Sequence, residues 1–334
     1  MKIPKIGIIG TGNMGRIHAR ILASMHALSA VSDLDISLAK KEAENYGVKA
    51  FDDYEKMIET CNLDAVIIAT PTPTHADIAK DVAKRFAGIK GIMIEKPLSS
   101  NLSDAKEVVK TLKKENKIGL VSHTEIYNPI VERAIHLIKK GVIGKPTAVI
   151  HDRRGFVQPK RIPSLGDVFE DIGVHDFDIM TRISTGAAKL YAQCQMNEGI
   201  LNAGAVMVKF ANGTEHFFHL SRQYAGRKRN MDVSGTKGTL VLDLFGQIIK
   251  VQDLDQEPSA DSRAINLPER GATIKVYGEP VREALTDFID CLRTGKNPKV
   301  TLDDGIAALQ VVEAARRSAQ VGKAVDISIR SREL

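Results

Sequence analysis

Up to residue 120 the sequence alternates short apolar runs with amphipathic stretches. The apolar runs predict five strands, at 5–10, 28–33, 65–70, 91–95 and 118–122. Most of these runs lack the polar alternation of a half-exposed strand, which is typical of strands buried on both faces of a parallel sheet. The amphipathic stretches predict helices near 14–26, 36–46, 53–61, 74–87 and 101–116. This alternation indicates an α/β fold built on a doubly wound parallel sheet.

The pattern changes after Asn128 and Pro129. A helix is predicted at 130–140, and strand-like runs follow at 146–153, 189–196, 204–211, 214–222, 229–234, 238–244 and 247–252. Asn212-Gly213 separates two of these runs, and Asn-Gly is a strong signal for an antiparallel hairpin. Further helices are predicted at 168–184, 280–294 and 302–321, with a long polar loop at 253–270. We therefore expect an α+β domain with an open, mainly antiparallel sheet.

Length and composition set the outer limits. At roughly 100–200 residues per domain, a chain of 334 residues predicts two domains. We place them at 1–122 and 123–334, with the closing helices able to pack back on the first. No apolar run is long enough to span a membrane, and the start runs directly into a strand pattern, so we expect a cytoplasmic protein. The cysteines, Cys61, Cys194 and Cys291, are distant and odd in number, which favours buried thiols over disulfides or a metal site.

The net charge is +6, from 47 Lys and Arg against 41 Asp and Glu. Most of these charges are mixed along the chain, as on an ordinary solvated surface. Two local groups stand out, namely Arg153, Arg154, Lys160 and Arg161, and then Arg222, Arg227, Lys228 and Arg229. Patches of this size suit a small anionic molecule better than nucleic acid, which usually requires a basic stripe or interleaved aromatic residues.

A glycine-rich turn follows the first predicted strand. Its residues are Gly10, Thr11, Gly12, Asn13, Met14 and Gly15. The first glycine permits the tight turn, the second lets a pyrophosphate approach the backbone, and the third allows the helix to pack on the strand. The N-terminus of the helix then offers N–H groups and a positive dipole end to the phosphates. This placement predicts a dinucleotide-binding domain.

Asp33 ends the second predicted strand, about 20 residues after the glycine turn. A carboxylate at this position can accept hydrogen bonds from both ribose hydroxyls, and it would repel a 2′-phosphate. The alternative is that Asp33 caps the next helix, although Asp35 is better placed for that role. We therefore expect NAD rather than NADP.

Two motifs end the next strands at the edge of the sheet where ligands bind. The first supplies the candidate cofactor contacts Ala69, Thr70, Pro71, Thr72 and His75, although His75 could equally be a surface residue in the first turn of a helix. The second is Glu95-Lys96-Pro97, in which Glu95 and Lys96 are further candidate cofactor contacts. A partly desolvated lysine beside a nicotinamide could exchange a proton with a substrate hydroxyl, but an ordinary exposed lysine fits the spacing as well.

Asp171 and His175 lie four residues apart on the predicted helix at 168–184. This spacing stacks them on one face, about 40° apart in an α-helix. An Asp one turn from a His can fix its tautomer and stabilise its protonated form, as a general base requires. A surface Asp–His pair is the alternative, and Asp178 is a rival for orienting the imidazole. The apolar residues of the helix, Phe169, Phe177, Met180 and Ile183, are predicted to be core.

Together these motifs resemble the Gfo/Idh/MocA oxidoreductases, named for glucose-fructose oxidoreductase and inositol dehydrogenase. The matching segments are GIIGTGNMG, SD, ATPTPTHA, EKP, DIGVHDFD, SGTKGTLVLD and AARRSAQVGKAVDI. The resemblance implies an N-terminal Rossmann domain for NAD and a C-terminal domain whose sheet forms homodimers or homotetramers. It also implies catalytic roles for Lys96, Asp171 and His175 in moving a proton while a sugar hydroxyl carbon transfers hydride to nicotinamide.

The residues at 151–155, 159–162 and 166–168 resemble members of this family that oxidise the 3-hydroxyl of UDP-N-acetylglucosamine. Guanidinium groups at Arg153, Arg154 and Arg161 could hold a diphosphate, although charges that protect an edge strand would look the same. His123 falls where the family has residues that face the substrate. A free sugar or myo-inositol is the alternative substrate, and an NAD-dependent glycosidase or a non-catalytic NAD-binding regulator is the alternative function.

Overall fold

The computed structural model describes residues 3–197, 199–253 and 271–330. The chain divides into two compact units. The first contains the chain up to Thr124 together with Glu279–Leu309, and the second contains Glu125–Gly278 and the chain from Gln310 onward. The first unit is therefore made from two separate stretches of sequence.

The first unit contains a parallel sheet of six strands in the order β3-β2-β1-β4-β5-β6. Its strands are β1 (Ile6–Ile9), β2 (Leu28–Ser32), β3 (Lys49–Phe51), β4 (Ala65–Ile68), β5 (Gly91–Ile94) and β6 (Ile118–Val121). Its helices are α1 (Asn13–Ser24), α2 (Ile36–Tyr46), α3 (Tyr54–Cys61), α4 (His75–Arg85), α5 (Leu102–Lys114) and α8 (Pro280–Thr294), with the start of α9 (Leu302–Val321). Every residue of β1, β4 and β5 is buried. The doubly wound parallel sheet is confirmed.

Local chemistry sets the helix boundaries in this unit. Asp35, Asp53 and Asn101 are the N-cap residues of α2, α3 and α5, and each side chain accepts a hydrogen bond from a backbone N–H of the first turn. Helix α2 ends at Gly47, which has a φ of 65°. Strand β3 was not predicted from the sequence, because three residues are too few to show a period.

Helix α8 packs on the sheet at Gly91. A Cβ atom there would lie 2.7 Å from Cδ2 of Leu292 and 3.1 Å from the ring of Phe288. Both Phe288 and its neighbour Leu285 are fully buried. A glycine at the start of β5 therefore admits the apolar face of α8.

The second unit contains a sheet of nine strands in the order β14-β13-β12-β11-β7-β10-β9-β8-β15. Its strands are β7 (Pro146–Phe156), β8 (Gly186–Asn197), β9 (Ile200–Phe210), β10 (Glu215–Ser221), β11 (Gln223–Gly235), β12 (Gly238–Asp243), β13 (Ile248–Asp253), β14 (Ala272–Lys275) and β15 (Val325–Ile329). Its helices are α6 (Pro129–Lys139), α7 (Val174–Ile183) and the remainder of α9. Neither β14 nor β15 was among the predicted strands. Of the predicted loop at 253–270, residues 254–270 lie outside the described residues.

Pairing within this sheet is mixed and mostly antiparallel. The predicted hairpin at Asn212-Gly213 is confirmed, since Lys209 pairs with Glu215 across it and Gly213 has a φ of 91°. Strands β7 and β10 run parallel, with Ala148 opposite Glu215. The sheet is therefore not purely antiparallel, because the chain leaves β7 through α7 and two further strands before β10 returns beside it.

The three cysteines are free thiols. Cys291 is buried, whereas Cys61 and Cys194 are half-buried, so the prediction of buried thiols holds for Cys291 alone. Among the described residues, none of the helices combines the length and apolar character that a membrane crossing would need.

Candidate active site

The glycine turn joins β1 to α1 at the point where the sheet order reverses direction. Gly10 has a φ of 92°, and a Cβ atom there would lie 2.7 Å from the carbonyl oxygen of Ala69. A Cβ atom on Gly15 would collide with the carbonyl oxygen of Gly10, whereas one on Gly12 would meet no described atom within 4 Å. Gly10 and Gly15 are therefore required by the fold, and Gly12 keeps space open beside the turn.

Helix α1 presents its N-terminus at this open space. Gly12 is the N-cap residue, and because glycine has no side chain it leaves the first N–H groups of the helix uncovered. In the first turn the Asn13 side-chain oxygen accepts a hydrogen bond from Arg16 at 3.0 Å. Met14 follows Asn13 and is half-buried. The arrangement fits an anionic group such as a pyrophosphate.

Asp33 is tied to the glycine turn. Its Oδ2 accepts hydrogen bonds from the backbone N–H of Thr11 at 2.7 Å and from the Thr11 hydroxyl at 2.9 Å, and its Oδ1 accepts one from the N–H of Asp35 at 3.0 Å. The N-cap of α2 is Asp35, whose pKa is lowered by hydrogen bonds from the Ser37 side chain and backbone. Asp33 is therefore not the helix cap.

A cavity of about 970 Å³ opens beside these residues. Six of the residues that the sequence nominated for the cofactor line it, namely Gly10, Gly12, Asp33, Ala69, Thr70 and Pro71. The lining also includes Leu34, Leu38 and Tyr54, which were not nominated. In the sequence, the apolar residue directly after Asp33 is the signal that could have indicated Leu34, and the structure shows that its side chain is 96% exposed. Apolar walls of this kind suit a planar base.

The loop after β4 is fixed by its own hydrogen bonds. Thr72 begins a short 3₁₀ turn, Thr72–Thr74, and the Thr74 hydroxyl donates to the backbone oxygen of Pro71. His75 is only 1% exposed, with Nδ1 lying 2.9 Å from the carbonyl oxygen of Pro97 and Nε2 lying 2.8 Å from that of Thr70. The reading of His75 as a surface residue is wrong. Its ring links the two loops instead.

Glu95 and Lys96 follow β5. The Glu95 carboxylate is buried against His18, with Oε1 lying 2.7 Å from Nε2 of the imidazole. Burial alone would raise the pKa of Glu95, but the hydrogen bond and charge of His18 outweigh it and lower the pKa. Oε2 of Glu95 accepts a hydrogen bond from the backbone N–H of Lys96 at 3.2 Å. The sequence did not reveal His18, because a histidine within α1 carries no sign of a partner 77 residues away.

Asp171 lies in a π-helical turn, Phe169–Gly173, that leads directly into α7. Because a π-helix closes hydrogen bonds from i to i+5, four residues fall just short of one turn rather than just past it. The 40° separation expected for an α-helix therefore does not apply. Asp171 and His175 are both half-buried, and they remain within one turn of each other.

The other polar and apolar residues of this helix have separate places. Asp178 is fully buried, with Oδ1 lying 3.6 Å from Nε of Arg182. Phe169, Phe177 and Met180 are fully buried, which confirms them as core, while Ile183 is half-buried.

Arg153 is buried and satisfied within the second unit. Its guanidinium donates to both oxygens of Asp176, at 2.7 and 3.1 Å, and to Glu125 at 3.0 Å. Burial would raise the pKa of Asp176, but the charge of Arg153 and its hydrogen bonds hold that pKa well below its usual range. Arg153 is 4% exposed and two carboxylates balance its charge, which argues against the expected contact with a diphosphate.

The remaining nominated residues are dispersed. Arg154 forms two hydrogen bonds with Asp152, at 2.6 and 2.9 Å, and its guanidinium lies 4.5 Å from the centroid of the Tyr224 ring. Arg161 is in a 3₁₀ segment, Pro159–Ser164, and is exposed. His123 follows β6 in the first unit and is buried. Arg153 and Arg154 are thus both bonded to carboxylates, whereas Arg161 lies in a separate element.

The glycine cradle, the acid that follows β2 and the cavity beside them define a dinucleotide-binding oxidoreductase domain. A family model described as an oxidoreductase family with an NAD-binding Rossmann fold matches residues 4–123. A second model, for the C-terminal alpha/beta domain of the same family, matches residues 135–327. The chain belongs to the Gfo/Idh/MocA oxidoreductase family, and its first domain is the NAD-binding domain.

Individual relatives match either nearly all of the chain or about half of it. The myo-inositol 2-dehydrogenase of Thermotoga maritima is 28% identical, over 97% of this chain and 98% of its own. The UDP-N-acetylglucosamine 3-dehydrogenase of Acidithiobacillus ferrooxidans is 29% identical, over 55% of each chain. The structure of a levoglucosan dehydrogenase in complex with NADH and levoglucosan has the same fold, with a TM-score of 0.86 and 20% identity over 97% of this chain and 99% of that one.

Proposed function

We propose that the protein is an NAD-dependent dehydrogenase that oxidises a secondary ring hydroxyl of a free sugar or cyclitol. The observation that carries the proposal is the cofactor cradle, in which Gly12 leaves open space beside the N-terminus of α1 and Asp33 is fixed beside it. The full-length similarity to a myo-inositol dehydrogenase supports the same reaction class.

The residues present fit NAD. The uncovered N–H groups of α1 suit the pyrophosphate, Asp33 suits the ribose hydroxyls, and Leu34 and Leu38 supply apolar walls for the adenine. Bound NAD supplies the acceptor for the hydride that leaves the carbinol carbon. The remaining task, which falls to the side chains of this chain, is to remove the hydroxyl proton.

Lys96, Asp171 and His175 are assigned to that task by the resemblance to the family. His175 accepts the hydroxyl proton on its imidazole, and the Asp171 carboxylate, within one turn of it, favours the charged ring that results. Lys96 donates a hydrogen bond to the substrate oxygen, which is the atom where negative charge develops as the proton leaves. Glu95, which is paired with His18, accepts a hydrogen bond from the backbone N–H of Lys96 and so fixes the backbone at this residue.

The choice of substrate follows from the ion pairs that Arg153 and Arg154 already form. A diphosphate is held by guanidinium groups that a ligand can reach and whose charge is not already balanced by carboxylates. Arg153 is buried between Asp176 and Glu125, and Arg154 is bonded to Asp152. An uncharged polyol makes no demand on these groups, which favours a free sugar or cyclitol.

A nucleotide sugar is the second candidate. Arg161 is exposed and lies within the residues that resemble the UDP-N-acetylglucosamine dehydrogenases, and one such enzyme is 29% identical over 55% of the chain. A substrate of this kind would place the reacting hydroxyl on C3 of a UDP-N-acetylhexosamine.

A substrate panel tests the proposal. The protein is incubated with NAD and inositols, free hexoses or UDP-sugars, while NADH absorbance and products are followed. Turnover with free polyols supports the proposal, and turnover with UDP-sugars alone selects the second candidate. Release of free sugar from a glycoside without net NADH would identify a glycosidase, and NAD binding without any turnover would identify a regulator.

We also infer that the protein is a cytoplasmic homodimer or homotetramer. The cytoplasmic location is supported by the use of NAD, because the reaction needs a cellular pool of the dinucleotide. Oligomerisation is supported by a cross-strand row on the open face of the second sheet, where Ile150, Phe217, Met207 and Tyr191 lie directly opposite one another on four adjacent strands. Ile150 is 50% exposed and Met207 is 42% exposed. A second copy of the chain would cover this row.

A further inference from the structure

Arg222 lies between β10 and β11 and is the largest fully buried side chain among the described residues. Its guanidinium donates to the carbonyl oxygen of Gly166 at 2.7 Å, to Oδ1 of Asn202 at 2.8 Å and to the carbonyl oxygen of Leu201 at 3.1 Å. These three bonds fix the guanidinium rigidly, but all three acceptors are neutral. A buried cation also requires a countercharge.

That countercharge is the carboxylate of Asp171. Oδ2 of Asp171 lies 3.5 Å from Nη1 of Arg222, and the side chain of Arg222 is 0% exposed. The distance is that of an ion pair rather than of a short hydrogen bond, and it holds the carboxylate next to the guanidinium. Since the pair is shielded from water, its attraction is screened much less than on a surface.

A second arginine provides an internal comparison. Arg316 of α9 forms ion pairs with Asp167 and Glu170, which precede Asp171 in the same stretch of chain. Arg316 therefore pairs with two acidic residues of this stretch, whereas Arg222 pairs with Asp171. Both arginines stabilise the segment, but they differ in which carboxylate they hold.

We propose that Arg222 is a positioning residue for Asp171, which holds the carboxylate in place and in orientation at the π-helical turn. The proposal rests on the proposed function, in which Asp171 stabilises the protonated imidazole of His175. Arg222 contacts neither substrate nor cofactor in this scheme and acts only through Asp171.

The test compares Arg222→Gln with Arg316→Gln, each assayed for kcat, for KM of NAD and for thermal unfolding. Removing the countercharge of Asp171 is expected to lower kcat by about 10- to 100-fold, by analogy with the outer-shell residues that orient the ligands of a metal. KM for NAD should stay unchanged, because the residues that hold NAD belong to the first unit. Arg316→Gln should lower stability and leave kcat within about threefold. Arg222→Lys, which keeps the charge, should recover most of the lost turnover.

Because Arg222→Gln could fail to fold, Asn202→Asp provides a second route. The change is nearly isosteric and places a competing carboxylate at the Asn202 position, 2.8 Å from Nη2 of Arg222. A fall in kcat of about three- to tenfold with unchanged thermal unfolding supports the proposal, and an unchanged kcat overturns it.

Asp171→Asn separates the two levels of inference. If Asp171→Asn is inactive while folded Arg222→Gln has the parental kcat, Arg222 has no positioning role and the proposed function stands. Equal losses of kcat in Arg222→Gln and Arg316→Gln would reduce Arg222 to a structural residue. If Asp171→Asn itself turns over normally, the proposed function is wrong at that residue, whatever the arginine variants show.

Discussion

Thr11 donates two hydrogen bonds to the same oxygen of Asp33, one from its backbone N–H at 2.7 Å and one from its hydroxyl at 2.9 Å. The glycine turn and the end of β2 are thereby locked together before any ligand is bound. The carboxylate is preorganised, with its second oxygen on the N–H of Asp35.

Asp33→Ser is expected to raise KM for NAD by about tenfold, since a hydrogen bond to a charged acceptor contributes about 1.5–3 kcal/mol. Loss of the negative charge should also increase the relative use of NADP. Steady-state kinetics with both cofactors measure this change. Asp35→Ser is the control, because Asp35 caps α2 and should leave cofactor preference unchanged. An unaltered NAD to NADP ratio in Asp33→Ser would refute the role.

Gly12 and Gly15 are expected to respond to alanine in opposite ways. A Cβ atom on Gly12 meets no described atom within 4 Å, so Gly12→Ala should fold with a free energy of unfolding within about 0.5 kcal/mol of the parent. Its affinity for NADH, measured by fluorescence titration, should nevertheless fall at least about tenfold. Gly15→Ala should lose about 1–3 kcal/mol of stability through overpacking against Gly10. Normal NADH binding by Gly12→Ala would contradict the cradle.

Lys96→Met is expected to lower kcat by about 100- to 10,000-fold, the usual contribution of a group that transfers or stabilises a proton in the transition state. Binding of NADH should change little, which separates chemistry from cofactor affinity. Lys84→Met, at an exposed position in the last turn of α4, is the matched control. Comparable turnover of the two variants would remove Lys96 from the mechanism.

Stability should fall as the pH is lowered from 7 to 5, because of His216. The ring is buried between His151, at 3.2 Å, and the hydroxyl of Ser184, at 2.9 Å, and it stacks near Phe218. Burial, and then the charge of His151, lower its pKa well below 6.5. Below about pH 6.5 this histidine takes up a proton in the unfolded chain but not in the folded protein. The free energy of unfolding therefore falls by up to about 1.4 kcal/mol per pH unit.

Urea unfolding of His216→Gln between pH 5 and 7 measures this effect, and the variant should show a shallower slope than the parent. His136→Gln, on the exposed side of α6, should keep the parental slope. A parental slope in His216→Gln would rule out His216 as the source. Below about pH 4 a further loss is expected from Asp176, whose pKa is lowered in the folded protein, so its stabilisation disappears as it is protonated.

Met207→Glu is expected to convert the oligomer to monomers. It places a charge in the middle of the apolar row of Ile150, Phe217, Met207 and Tyr191, where a second copy would bury it. Light scattering with size-exclusion chromatography measures the mass. Val142→Glu introduces the same charge at another exposed apolar position and should leave the mass unchanged. A parental protein that is already a monomer would end the proposal.

The sequence predicted most of the elements because their periodicity is local. Helix α8 at Pro280–Thr294 and helix α9 at Leu302–Val321 have the boundaries that the pattern indicated. Strand β3 was missed because three residues carry no period. The π-helical turn at Phe169–Gly173 was missed because the same apolar spacing fits an α-helix, and one extra residue in a turn leaves no mark on the pattern.

The site was less predictable where partners are distant in sequence. Arg153 looked available for an anionic ligand, yet it is buried by Asp176 and Glu125, which are 23 and 28 residues away. Glu95 looked like a cofactor contact, yet its carboxylate is paired with His18. Such ion pairs cannot be predicted from the charge of a residue or from the residues next to it in the sequence. Tertiary packing decides whether a charged side chain is a surface group or a buried one.

The divided first unit has a consequence for how the protein is made. Its parallel sheet is synthesised early, but the helix whose Phe288 and Leu292 lie over Gly91 belongs to Glu279–Leu309. Most of the nine-stranded sheet is translated in between. The ribosome must therefore release the greater part of the second unit before α8 can pack on the first sheet. A nascent chain that still lacks α8 exposes an apolar face of the kind that chaperones bind.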